Sequence, residues 1–288
     1  MAIKFMKHVM VLFCLPLPLF LHAKDDSGFY SMFELGIYKD YIQSSDKHTK
    51  SKQNVGKVHV NFGYEWQNGW RLGLNGILAG TGSTHGLSGV PLMRGIENLP
   101  YRYGDGTLAT DYYGDLYVGY HLIHSTEHDM YINLIWNFLN TSILSYAFPF
   151  AAQASTSGFG LEVENRHLIM PKVSIGYTLG TKLYLGSEIG FDSVVSNDYV
   201  RLEGDKDYQT QIEYAYWELY GDVKWIYHAS KSADFFIKWD IQAQFVPKSE
   251  EASVNVYDVF NRRSLGDVSL HTANYRRIRS GISFGAAF

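Results

Sequence analysis

The sequence contains one cysteine, Cys14, and it lies inside the N-terminal apolar stretch. With that stretch removed no cysteine is left, so the fold must hold without disulfides. Charge of one sign is scarce as well. The formal net charge is −4, too small to suggest a nucleic-acid partner, and no basic patch is interleaved with aromatics for base stacking. Beyond the N-terminus no apolar run reaches the roughly 18 residues that a membrane-spanning helix needs. A helical membrane protein is thereby excluded, as the mean hydropathy of −0.16 also argues.

The N-terminus reads as a secretory signal. Lys4, Lys7 and His8 precede an apolar run from Val9 to Leu21, which Pro16 and Pro18 interrupt. Leu21-His22-Ala23 is a small-residue cleavage site, so residues 1–23 are expected to be removed and 24–288 to form a single domain. Phe13 is bulky where a lipoprotein signal wants a small residue, which argues against acylation of Cys14.

What is present is period-2 alternation and aromatic side chains, 22 Tyr, 17 Phe and 6 Trp. In VHVNFGYEWQNGWRLGLNGIL, Val58 to Leu78, one series holds Val58, Val60, Phe62, Tyr64, Trp66, Trp70, Leu72 and Leu74. The other holds Lys57, His59, Asn61, Glu65, Gln67, Arg71 and Asn75. That is the pattern of two strands with one apolar and one polar face. Pairing Trp66 with Trp70 keeps the faces consistent and leaves the loop Gln67-Asn68-Gly69, with Gly69 placed for a left-handed conformation. Similar alternation marks about ten strands. Two of them, Val173–Leu179 and Leu183–Phe191, are expected to be joined by a turn at Gly180-Thr181. Short turns alternate with long loops at 44–54, 81–110, 144–166, 196–210 and 247–272. The expected fold is all-β, an antiparallel transmembrane β-barrel of about ten strands with short turns at one end and five long loops at the other.

Lipid is expected outside and polarity inside. The apolar series carries Tyr41, Trp66, Trp70, Tyr120, Trp217, Trp225 and Tyr227 near strand ends, where interfacial aromatics belong. The polar series supplies a candidate lumen cluster of Glu34, Arg71, Asp115, Glu188, Glu218, Asp222, Lys224, Lys238, Asp240 and Arg279. Charges of both signs at similar depth are expected to pair, with Asp222 and Lys224 meeting Lys238 and Asp240 across a hairpin. Tyr38, Tyr117, Tyr131, Tyr184 and Tyr220 would narrow the lumen further. The favoured expectation is a side-chain plug, and the competing one a small diffusion channel. The last strand, with Ile282, Phe284 and Phe288 at alternate positions, resembles the C-terminal assembly signal of Gram-negative outer-membrane β-barrel proteins. That resemblance implies a Gram-negative outer-membrane location, with membrane lipids, lipopolysaccharide and the barrel assembly machinery as partners.

Ten strands and five loops also describe the omptin proteases, a likeness of architecture alone. That family needs an acidic pair on one loop and an Asp–His pair on the facing one. Here Ser83, His85 and Asp105 give no Asp-x-Asp, and Asp205-Lys206-Asp207 has no His beside it. His228-Ala229-Ser230 falls in a short turn and reads as chance. His121, His124 and His128 are close in sequence, but His121 is assigned to a strand and the others to a turn, so no metal site is expected. Gly73, Gly76 and Gly80 read as close packing. No cofactor and no enzymatic activity are expected, with an outer-membrane hydrolase as the further alternative. The loops, with Lys47, Lys50, Lys52, Arg262, Arg263 and Arg276, and with Tyr146, Phe148 and Phe150, are the candidate surface for an extracellular ligand.

Overall fold

The computed structural model describes residues 28–45, 50–80, 93–94, 108–125, 127–145, 151–192, 200–203, 209–258, 260–272 and 274–288. The expected signal peptide lies outside them. So do Lys47, Ser83, His85, Asp105, Tyr146, Phe148, Phe150 and 205–207. The described residues contain fourteen strands: β1 (Gly28–Ser44), β2 (Lys50–Glu65), β3 (Trp70–Gly80), β4 (Met93–Arg94), β5 (Leu108–His124), β6 (His128–Ser145), β7 (Ala151–Met170), β8 (Val173–Asp192), β9 (Val200–Glu203), β10 (Gln209–Ser230), β11 (Ala233–Val246), β12 (Ala252–Asp258), β13 (Arg263–Thr272) and β14 (Tyr275–Ala287). Ten of them close into a barrel in the order β1-β14-β11-β10-β8-β7-β6-β5-β3-β2. Closure pairs β1 with β14, and Ser31 and Phe288 exchange backbone hydrogen bonds of 2.9 and 2.8 Å beside that seam.

The expected strand count agrees with the structure through two compensating errors. Residues 173–192 form one strand, so the turn expected at Gly180-Thr181 does not exist. Gly180 is there for another reason: it faces Tyr220 on β10, and a Cβ would meet that ring at 2.2 Å. The strand that replaces the lost one is β7, in a segment read as a long loop. Its outward positions include Ser155 and Ser157 and its inward ones Gly158 and Gly160, so small residues on both faces erase the alternation there. Gly69 does take the left-handed φ of 83° in the Trp66–Trp70 turn, where the Trp66 amide donates to the Trp70 carbonyl at 2.8 Å.

The apolar series faces outward. Ile37, Leu134 and Leu179 are 74%, 61% and 68% exposed, which in a core would be inexplicable and on a lipid face is expected. Aromatics gather toward both strand ends. Phe29, Tyr64 and Trp66 stack edge-to-face at the short-turn end, next to Trp70 and Tyr120, while Trp217 stacks on Phe245 toward the loops. The barrel strands run from 11 to 22 residues. A bilayer needs about 9–11, so the longer ones project beyond it.

Three of the expected loops are knit together. β4, β9, β12 and β13 form a separate four-stranded sheet in the order β4-β13-β12-β9. It joins the segment after β3, the segment after β8 and the β12–β13 hairpin into one cap. Sequence reading treated these stretches as irregular, because strands this short carry too little alternation to register.

Candidate functional site: the polar lumen

Inward-facing side chains meet across the barrel in layers. Nearest the loops, Asp40 on β1 and Asp111 on β5 share Arg277 and Arg279 on β14. Arg277 lies 2.6 Å from Asp40 and 2.9 Å from Asp111, and Arg279 lies 3.1 and 2.6 Å from the same two carboxylates. Three strands, β1, β2 and β3, stand between β14 and β5 around the wall. These guanidinium groups therefore reach across the lumen rather than along it.

The middle layer centres on Glu34, which is fully buried. It takes Lys238 at 2.5 Å and Lys57 at 3.4 Å, with His59 Nδ1 at 3.3 Å. Tyr38 donates to Asp240 at 2.5 Å. On the other side Lys182 on β8 holds Asp115 on β5 at 2.6 Å, and Asn137 donates to the same carboxylate at 2.6 Å. Gln244 donates to Glu218 at 2.9 Å. Below this, Arg71 on β3 pairs with Glu164 on β7 at 2.8 Å, donates to Asn133 at 2.9 Å and lies 3.9 Å over the Tyr131 ring. Tyr220 donates to Glu162 at 2.9 Å, and the Tyr30 and Tyr117 hydroxyls meet at 2.6 Å.

Of the predicted cluster, Glu34, Arg71, Asp115, Glu218, Asp222, Lys224, Lys238, Asp240 and Arg279 stand on the inner face. The side chain of Glu188 lies outside the described residues, although its backbone belongs to β8. All four residues of the β10–β11 hairpin share the inner face as expected, but the attraction across the hairpin is diagonal, Asp222 to Lys238, and not between direct partners. Asp222 is opposite Asp240 and Lys224 opposite Lys238, so like charges face each other. Each lysine also pairs two residues along its own strand, Lys224 with Asp222 at 3.8 Å and Lys238 with Asp240 at 3.5 Å. Sequence reading did not include Asp40, Asp111, Glu162, Glu164 or Arg277 in the cluster. Parity alone places Asp111 with Asp115 and Arg277 with Arg279, whereas Glu162 and Glu164 were lost with the unrecognised β7. Of the expected close-packing glycines, Gly73 packs beneath a lumen side chain, Tyr117. Gly76 shares the outward parity of Leu74 and meets Val60.

His228, expected in a short turn, lies on β10 and is not isolated. Its Nε2 lies 2.7 Å from Ser174 Oγ, and its Nδ1 lies 2.7 Å from Asp234 Oδ1, a Ser–His–Asp chain at the short-turn end. Ser174 is 2% exposed and, one residue in from the start of β8, is paired on both sides, with Leu168 and Ile226.

In the cap, Asp258 accepts from the Asn261 amide at 2.9 Å and from its side chain at 2.7 Å, pinning the hairpin tip where Arg262 takes a φ of 51°. Glu251 accepts from Lys248 at 2.7 Å and from Ser269 at 2.8 Å, and those hydrogen bonds hold its carboxyl below the usual carboxylate range. Phe260 at the tip is 74% exposed.

Closed barrels of this kind are known. The outer-membrane protease OmpT from Escherichia coli is similar in structure, with a TM-score of 0.51 at 11% identity over 93% of this chain and 99% of that one. The chain has the outer-membrane β-barrel fold. Two further solved structures are related more loosely. The translocator domain of the autotransporter NalP from Neisseria meningitidis has a TM-score of 0.43 at 8% identity, covering 100% of this chain and 96% of that one. Neisserial surface protein A has 0.35 at 9%, covering 91% and 97%. No family model and no curated protein matches the sequence.

Proposed function

We propose that the protein is a non-enzymatic barrel of the Gram-negative outer membrane, closed by its own side chains, whose work is done by the surface cap. One observation carries this reading: the cation–carboxylate pairs cross the lumen, Arg277 and Arg279 to Asp111, Lys182 to Asp115 and Arg71 to Glu164. Conduction needs a connected wet path. Cross-lumen pairs at three depths interrupt it. The short turns then face the periplasm and the cap faces outward. The outward series meets membrane lipid, and Ile282, Phe284 and Phe288 on the terminal segment suit recognition by the barrel assembly machinery.

The cap's β12–β13 tip presents Phe260 beside Arg262 and Arg263, an aromatic and two cations on a pinned turn. That combination fits phosphate-bearing lipopolysaccharide or an acidic extracellular ligand. Purified protein in a planar bilayer is expected to give no conductance steps, and charge reversal of Arg262 and Arg263 together is expected to weaken co-sedimentation with lipopolysaccharide. Reproducible steps from the unmodified protein would replace this reading with a small diffusion channel.

A hydrolase is the second reading, favoured by the Ser174–His228–Asp234 chain. Against it, a central strand commits its backbone amides to the ladder, which leaves Ser174 no amide of its own for an oxyanion. The chain serves better as a clasp between β8, β10 and β11. A fluorophosphonate probe is expected to leave Ser174 unlabelled, and labelling lost in Ser174→Ala would establish the enzyme instead.

A further inference from the structure

At the short-turn end the regular period of β5 breaks. Register shifts between His121 and Ile123, so that His121 faces Tyr131 and His124 faces Asp129. Residues three apart on a regular strand point to opposite faces. The extra residue of a bulge cancels that and re-aims the side chains after it. His121 and His124 thus come to one side, their ring centroids 4.6 Å apart. The bulge is anchored from outside the hairpin, because the His121 amide donates to the Gly69 carbonyl at 2.8 Å.

The geometry points to His121, His124 and Asp129 as a three-ligand site for a divalent transition-metal ion of the zinc class. Donor atoms of all three lie within 4.8 Å of one another. Asp129 Oδ1 is 3.3 Å from His121 Nε2 and 3.5 Å from His124 Nδ1. A tetrahedral ion with bonds of about 2.0–2.1 Å has ligand–ligand edges of about 3.3–3.4 Å, so both distances already match an edge. The remaining pair closes by rotation of His124, whose side chain is 67% exposed.

The surroundings argue in the same direction. The His121 side chain is 6% exposed and its Nε2 is buried without a hydrogen bond. Its Nδ1 lies 3.2 Å from Glu65 Oε1, and that carboxylate also accepts from the Tyr131 hydroxyl at 3.1 Å. The Tyr131 ring stacks on the imidazole at 4.0 Å. With the Nδ1 proton donated to Glu65, Nε2 presents a lone pair to a carboxylate oxygen. Two acceptors so placed call for a cation between them. A carboxylate behind a ligating histidine is also the usual means of fixing its tautomer and raising its basicity. Arg166 Nε donates to Asp129 Oδ2 at 3.0 Å, and Oδ1 is the oxygen that lies 3.3 and 3.5 Å from the two imidazoles. The exposed His124 leaves one side open, where water would complete the coordination.

The test uses the untagged purified barrel in detergent, stripped with chelator and titrated with Zn²⁺ by calorimetry and with Co²⁺ by visible absorption. One equivalent is expected, with the intense d–d bands of tetrahedral Co²⁺. Glu65→Gln is expected to weaken binding about 10–100-fold while leaving the Co²⁺ band positions in place, since Glu65 is not a ligand. His121→Ala and His124→Ala should each cost at least as much and change the spectrum. His124 is exposed enough that its loss leaves the barrel folded, which heat-modifiable gel mobility checks. Absence of Zn²⁺ binding at about 1 mM would overturn the site, as would binding that survives His124→Ala or that depends on His128 instead.

Discussion

Tyr117 lies flat against Gly73, its direct partner across the β3–β5 ladder, so that a Cβ on Gly73 would fall 2.3 Å from the phenol oxygen. The arrangement recurs: Tyr30 faces Gly63, Tyr38 faces Gly281, Tyr220 faces Gly180 and Phe236 faces Gly285, each ring within 2.6 Å of where a Cβ would sit. The missing side chain gives each ring a place to lie down, as when an aromatic covers a strand glycine in a designed sheet. Gly73→Ala must lift Tyr117 away from Tyr30 and Asn61. The expected cost is about 1–3 kcal/mol of overpacking, seen as an earlier midpoint in urea unfolding from lipid vesicles. Gly76→Ala, whose Cβ meets only Val60 at 3.2 Å, is the control. Equal midpoints for the two variants would show that Tyr117 is not held by Gly73.

Leu74 and Asn75 test the assignment of faces. Leu74 is 49% exposed on the outer wall, and Asn75 points inward, where it accepts from Asn61. Arginine on the lipid face near mid-membrane costs about 2–4 kcal/mol, so Leu74→Arg is expected to impair folding into vesicles. Asn75→Ser adds no charge to the lumen and is expected to fold much more like the parent. The reverse order would exchange inside and outside.

Much of the barrel was legible because its walls separate polar from apolar at every second residue. Trp66, Trp70, Leu72 and Arg71 announce the β2–β3 hairpin on sight. The failures share one cause. Where both faces are small, as along Ser155 to Gly158, alternation carries no contrast, and a glycine that seats a ring, Gly180, imitates a turn. Pairing partners were less legible than faces, because parity says which side a charge is on and not which one it meets across the lumen. Arg279 finds Asp111 through the curvature of the closed wall, and no local pattern encodes that. The His121–His124 alignment depends on a one-residue bulge, which turns a spacing that argues against a site into one that permits it.

The cap should respond to acid before the barrel does. Glu251, held below its ordinary pKa of 4.5 by hydrogen bonds from Lys248 and Ser269, contributes stability that is present above that value and lost as pH falls through the lowered one. The group is exposed, so the effect is local rather than global. Limited proteolysis at the β12–β13 hairpin is expected to quicken as pH falls below the ordinary carboxylate value, while heat-modifiable mobility of the barrel is unchanged. Glu251→Gln should show the faster cleavage already at neutral pH, and resistance to the protease in that variant would remove Glu251 from the cap's support.

The Glu34–Lys238 pair distinguishes a dry lumen from a wet one. Their charged atoms lie 2.5 Å apart, with side-chain exposures of 0% and 5%. If water is excluded, Lys238→Met strands a buried carboxylate, and the expected loss is about 3–5 kcal/mol. Lys57 at 3.4 Å offsets part of that. Glu34→Gln alone leaves the ammonium with Asp240 at 3.5 Å as its remaining carboxylate. The double variant removes both charges, and its loss is expected to be well below the sum of the single losses, because most of the Lys238→Met loss is the cost of the orphaned carboxylate. In a lumen filled with mobile water the orphan would be solvated and the two losses would simply add. A coupling near zero, read from urea midpoints in vesicles, would therefore count against the plug as directly as a conductance step.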